Sequence, residues 1–150
     1  MKSIRIHILE IVGPLLQRAR QVRLSILGHA NISKLATIER GVRLDRVYPQ
    51  HIYIGDYTLV ASNVTILCHE HVYRDNCDRR LPLLKEVHIG KRCFIGVSAI
   101  ILPGVTIGDE CIIGAGSIVS KDIPPNSLAV GVPARVIKSN LRLDDKAISV

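Results

Sequence analysis

The chain has no tryptophan, one phenylalanine and four tyrosines in 150 residues. So sparse a set of rings excludes a face on which nucleobases stack, although the formal charge of +7 taken alone would suit nucleic acid. The charge still favours an anionic partner, and a small phosphate-rich ligand accounts for it equally well. A CxxC pair is also missing. Cys68, Cys77, Cys93 and Cys111 offer neither a redox motif nor a zinc-finger spacing. Long apolar runs are absent as well. The N-terminal apolar stretch is broken by Glu10 and Pro14 and followed by Arg18 and Arg20, so it reads as neither a signal peptide nor a membrane span. The cytoplasm is the expected compartment. What remains is 47% apolar residues, chiefly aliphatic, enough for one domain with a narrow interior.

That aliphatic content is periodic. Ile89, Ile95, Ile101, Ile107, Ile113 and Val119 recur every six residues. Four positions after each comes Cys93, Ala99, Val105, Cys111, Ser117 or Ile123. A period of six fits neither the 3.6 of a helix nor the two of a simple strand. It predicts an all-β solenoid, a parallel β-helix of hexapeptide repeats, each repeat one short strand and one corner. Three hexads make one coil, so Ile89 should stack on Ile107, Ile95 on Ile113, Cys93 on Cys111 and Ala99 on Ser117. Cys93 and Cys111 then read as small reduced core residues. Gly90, Gly96, Gly108 and Gly114 follow the aliphatic residue, where they would allow the backbone conformation of a tight corner.

The rhythm begins weakly at Ile32, Ile38 and Leu44, with Ala36 and Val42 inward. It slips by two positions and restarts at Ile54, Val60 and Ile66, with Thr58 and Val64 inward. Residues 72–86 are polar and charged and read as a loop protruding from a corner, a place where function commonly sits. Pro124 and Pro125 end the regular coils. Residues 1–27 carry apolar side chains at three- and four-residue intervals, from Ile4 to Ile26, and predict an amphipathic helix kinked at Pro14. Its expected role is to cap the open end of the solenoid; contact of its basic face with a membrane surface is the less favoured reading. The expected organisation is a helical cap (1–27), a repeat domain (28–138) and a polar, helical tail (139–150).

Chemistry concentrates just before the loop, at Cys68-His69-Glu70-His71. A histidine there titrates near working pH and is a candidate general base. On a strand, His69 and His71 point to one side and Glu70 to the other. The pair could instead be solvent-exposed bystanders, or two metal ligands lacking a third. His7, His29, His51 and His88 read as surface or satisfied side chains.

The motifs VTILCHEH, IGKRCFIGVSAIILPGVTIGDECIIGAGSIVSKDIPPN and AVGVPARVIK together resemble the hexapeptide-repeat acyltransferases, most nearly their galactoside, maltose and polysaccharide O-acetyltransferase branch. The resemblance spans about residues 32–138. It implies a left-handed β-helix, a homotrimer with active sites between subunits, acetyl-CoA as donor, a sugar or polysaccharide-precursor acceptor, and no metal. His71 matches the family's catalytic histidine, with His69 as the second candidate. Asp45, in the irregular LDRVYPQ segment, is a candidate to bind the sugar or orient the histidine. On the donor side the resemblance points to Ala115, Ser120 and Lys121 of the GAGSIVSK motif and Arg135 of GVPAR. It adds Phe94, at the aromatic position of the IG repeat, and Ser98. N-acetylation of a nucleotide-linked amino sugar and a non-catalytic trimeric scaffold are the alternatives. A γ-class carbonic anhydrase falls away because His69 and His71 do not form an H-x4-H pair.

Overall fold

The computed structural model of the protein describes residues 30–141. The helix expected over residues 1–27, His7, His29 and most of the expected C-terminal tail lie outside them.

Two-residue strands separated by corners repeat along the chain. The first circuit holds β1 (Asn31–Ile32), β2 (Thr37–Ile38) and β3 (Arg43–Leu44). A 3-10 turn at Pro49–His51 leads to β4 (Ile52–Ile54), β5 (Leu59–Val60) and β6 (Thr65–Ile66). An antiparallel hairpin follows, β7 (His69–Arg74) with β8 (Arg80–Leu84). The next circuits are β9 (Val87–Ile89), β10 (Phe94–Ile95), β11 (Ile100–Ile101), then β12 (Thr106–Ile107), β13 (Ile112–Ile113), β14 (Ile118–Val119). A second hairpin, β15 (Leu128–Gly131) and β16 (Ala134–Lys138), ends the series. Successive strands enter three sheets in rotation: sheet A (β1-β4-β9-β12), sheet B (β2-β5-β10-β13-β15-β16) and sheet C (β3-β6-β11-β14). Apart from the two hairpins the pairing is parallel.

The hexads fix this arrangement because their second strand residue points inward. Ile95, Ile101, Ile107, Ile113 and Val119 are at most 1% exposed, and Ile89 is also buried. The expected stacks form: Ile89 pairs with Ile107 and Ile95 with Ile113. Each such side chain removes enough apolar surface from water to stabilise the fold by about 1.5–3 kcal/mol. Cys93, Ala99, Val105, Cys111, Ser117 and Ile123 fill the spaces between them. The Cys93 thiol donates to the Gly108 carbonyl and the Cys111 thiol to that of Pro124, both at 3.1 Å. Thr58, wholly buried, donates to the Gly90 carbonyl at 2.7 Å and accepts the Cys93 N–H at 3.0 Å.

Three expectations change in detail. The glycines after the aliphatic residues do not take the left-handed conformation. A Cβ on Gly96 would lie 2.6 Å from the Ala115 nitrogen and 2.7 Å from the Ile113 oxygen, so stacked corners demand glycine by close approach. The left-handed residue comes two positions later, at Arg92, Ser98, Gly104, Glu110 and Gly116. The slip before Ile54 is an insertion of four residues: Ile32 pairs with Ile54, 22 positions on, where the regular stack uses 18. The segment expected as a loop over 72–86 is an ordered hairpin beginning at His69. The prolines end the regular spacing as expected: β15 still pairs in parallel with β13, but Ala129 lies 16 residues after Ile113 instead of 18.

Candidate active site

Asp45 follows β3 where the regular circuit breaks, and its side chain is fully buried. One carboxylate oxygen accepts the N–H groups of Val47 (3.0 Å) and Tyr48 (3.2 Å), a local turn that such a residue commonly makes. The other accepts the Cys68 N–H at 3.1 Å and a hydrogen bond from Nδ1 of His69. Burial opposes ionisation. The Cys68 N–H, the His69 ring and the N–H groups of Val47 and Tyr48 outweigh it and hold the carboxyl at about 2, so Asp45 is a charged acceptor with every lone pair used.

This fixes His69. With Nδ1 turned to the carboxylate, Nε2 is the ring nitrogen left for chemistry. The ring is 18% exposed, low enough to be held and open enough to be reached. Tyr48 packs edge-on against it at 5.4 Å, and His71 does the same at 5.1 Å. The contact between the two imidazoles agrees with their expected common side. Glu70 turns to Lys85, 2.8 Å away. Cys68, next in line, is no nucleophile. Burial, then the Asp45 charge, pushes its thiol up to about 12, and it donates to the Tyr48 carbonyl at 3.0 Å.

His71 sits at an irregularity of the hairpin. His69 pairs with Leu84 and Glu70 with Leu83, but Tyr73 pairs with Leu81, so His71 and Val72 together face Pro82. Proline has no N–H to extend the ladder, which explains a bulge at this point. The His71 carbonyl takes its hydrogen bond from the Arg80 guanidinium instead, at 3.0 Å. His71 itself is exposed. Tyr48 and Arg80 are the residues that sequence reasoning passed over. Neither has a motif, and both become visible only once the register is known. His51 and His88 are satisfied as expected: Glu86 lies 3.0 Å from His88 and 3.8 Å from His51, and Tyr53 stacks on His88.

The six donor-side candidates divide among several places. Ser98 and Ala115 lie on the edge between sheets B and C, where the Gly116 N–H bonds to the Val97 carbonyl at 2.8 Å. Ser120 and Lys121 are exposed on the other edge of sheet C, after β14. Phe94 lies half-buried on the outer side of sheet B, aligned with Leu59 and Ile112. Arg135 is exposed on β16, opposite Val130. One chain therefore does not gather them around the imidazoles. A cavity of about 770 Å³ along sheet A, lined in part by Asn31, Tyr53, His88, Lys91 and Thr106, contains none of the candidate residues. Among the described residues no His, Cys, Asp and Glu side chains form a metal-holding group of three or more, and no helix is long and apolar enough to cross a membrane.

A family profile described as the hexapeptide repeat of succinyl-transferase matches residues 86–121. The chain is 47% identical over 88 residues to the galactoside O-acetyltransferase of Escherichia coli K12, a match covering 58% of this chain and 43% of that protein. Among solved structures, a maltose O-acetyltransferase from Clostridium difficile 630 is 34% identical with a TM-score of 0.62, covering 79% of this chain and 75% of that one. A hexapeptide-repeat acetyltransferase from Vibrio cholerae O1 biovar eltor, solved with acetyl coenzyme A, is 31% identical with a TM-score of 0.64, covering 72% and 58%. The chain spans about half the length of the curated relatives it matches. Repeat, register and relatives agree, and the chain belongs to the hexapeptide-repeat acyltransferase family.

Proposed function

We propose that the protein is an acetyl-CoA-dependent O-acetyltransferase acting on a hydroxyl of a sugar or polysaccharide precursor, with His69 as general base and Asp45 orienting it. The observation that carries this is the buried carboxylate bonded to Nδ1 of His69 at the root of the hairpin. It supports His69 as the base over its neighbour His71, which the motif had favoured. Neutral His69 takes the proton from the acceptor hydroxyl through Nε2 as the oxygen attacks the thioester carbonyl. The carbon–sulfur bond then breaks, and the imidazolium returns its proton to the departing thiolate. The negative Asp45 stabilises the imidazolium that forms between these steps. Alignment of donor and acceptor supplies much of the remaining rate.

The three rotating sheets read as a left-handed β-helix, with residues 28–138 as the catalytic unit. A homotrimer fits the outward side chains. Thr37, Leu59, Phe94, Ile112 and Leu128 line the outer side of sheet B, and Arg43, Thr65, Ile100 and Ile118 that of sheet C, while sheet A presents Asn31, Tyr53, His88 and Thr106. A mostly apolar side B and a side C that is apolar in its later circuits suit a prism packed against copies of itself. The scattered donor-side residues then belong to grooves completed by a neighbour, with Lys121 and Arg135 facing CoA phosphates. Four free thiols, three of them buried, suit a reducing compartment such as the cytoplasm.

The test is CoA release from acetyl-CoA across a panel of sugars, comparing wild type with His69→Ala and His71→Ala, each with its melting temperature. The expected result is a loss of about 100-fold or more for His69→Ala, with melting nearly unchanged. Loss with His71→Ala alone would return the role of base to His71. A protein that does not bind acetyl-CoA would be a scaffold.

A further inference from the structure

The hairpin beside the imidazoles carries four cations, and three have carboxylate partners. Arg74 pairs with Asp78 at 2.5 Å, Arg79 with Asp75 at 2.7 Å and Lys85 with Glu70 at 2.8 Å. Arg80 is the exception: among the described residues no carboxylate lies within ion-pair distance of it, and its one bond is from Nη1 to the His71 carbonyl. That bond ties the head of the side chain to the backbone of an active-site histidine and leaves the other guanidinium N–H groups to face outward. The register adds a second observation. Arg80 lies directly opposite Arg74 across the hairpin, so two guanidinium groups share one face. Asp78 offsets the charge of Arg74, whereas among the described residues no carboxylate does the same for Arg80. Arg46, next to Asp45 and exposed, likewise has no carboxylate partner among the described residues.

We propose that Arg80 docks an anionic group of the acceptor, so that the preferred acceptor is a carboxylated or phosphorylated sugar rather than a neutral one. The inference rests on the acetyltransferase reading above and adds the class of acceptor to it. A planar guanidinium with one N–H anchored and the rest free is preorganised for a carboxylate or phosphate, which it can grip with two parallel bonds. Tied to His71, it would hold such a group at a fixed offset from the imidazoles and so select which hydroxyl reaches Nε2 of His69. The same chemistry could come from the donor's phosphates, and the experiment separates the two sources.

Initial rates of CoA release are measured with a neutral hexopyranoside, the matching uronate and the matching 6-phosphate, for wild type, Arg80→Gln and Arg80→Lys. Wild type should prefer an anionic acceptor in kcat/KM by about tenfold or more, the usual yield of one charged hydrogen bond. Arg80→Gln should raise KM for that acceptor by a similar factor, with a clearly smaller loss for the neutral acceptor and no rise in the KM for acetyl-CoA. Arg80→Lys should recover part of the loss, and added salt should erode the wild-type preference. A wild type indifferent to acceptor charge overturns the proposal. A rise in KM for acetyl-CoA places Arg80 on the donor. An equal fall in kcat for all acceptors reduces it to a prop for the His71 bulge. Release with the neutral acceptor alone refutes this inference and leaves the acetyltransferase reading standing; no release with any of the three by wild type counts against both.

Discussion

The circuits from Val87 to Val119 and the two breaks at Asp45–His51 and His69–Leu84 are opposite kinds of structure. In the circuits one residue of each strand is sealed inside, the register never shifts and the circuits follow one another at 18 residues. In the breaks side chains are mostly exposed, the ladder carries an irregularity, and polar groups bond to one another across one circuit. The regular part supplies rigidity and almost nothing that could move a proton. The irregular parts hold Asp45, Tyr48, His69 and His71. The proposed chemistry thus falls where the repeat is interrupted, and the interruptions meet because they fall on neighbouring circuits.

That division can be strained from either side. The largest effect belongs to Gly96→Ala, whose added carbon meets backbone atoms of the next corner that cannot swing aside. Denaturant unfolding should show a loss of more than about 3 kcal/mol, as severe overpacking does. Next comes Ile113→Ala in the stack, at about 2–5 kcal/mol. Leu84→Ala in the hairpin, where the side chain is 40% exposed, should cost less than about 1 kcal/mol by the same measurement. Equal losses at the two sites would make the hairpin part of the scaffold and end the contrast.

A smaller effect tests the seam between the two regions. The Asp45 carboxyl titrates near 2 in the folded chain, below its usual value of 3.8. A depressed pKa gives stability that is complete above the unfolded value and lost as pH falls towards the folded one. The lost amount is about 2 kcal/mol, at 1.36 kcal/mol per unit. Urea midpoints taken from pH 5 to pH 2.5 should therefore fall more steeply for wild type than for Asp45→Asn. Parallel curves would mean that the carboxylate gains nothing from its four donors.

The repeat was legible because a period of six leaves one aliphatic residue in every hexad, and Ile95, Ile101 and Ile113 went where that pattern sent them. The glycines were legible in position and misread in cause: nothing in the sequence distinguishes a residue that must bend from one that must be thin. The hairpin was read as a loop because strands exposed on both faces carry no alternation, and because Pro82 sits inside one of them. His69 and Asp45 were each visible as candidates, but their bond was not. It joins positions 24 apart in the chain, and that pairing is set by the four inserted residues before Ile54.

The hairpin also bears on how the chain assembles. A circuit normally closes over 18 residues, whereas the one containing the hairpin joins Ile54 to Ile89 over 35. Loop-closure entropy grows only with the logarithm of length, so the longer circuit costs about 0.6 kcal/mol more to close. A folding front travelling along the repeats would meet a small step there and not a wall. Large outgrowths on the side of such a stack thus cost little in loop closure, which lets the hairpin lengthen or change its residues while the turns above and below keep folding as before.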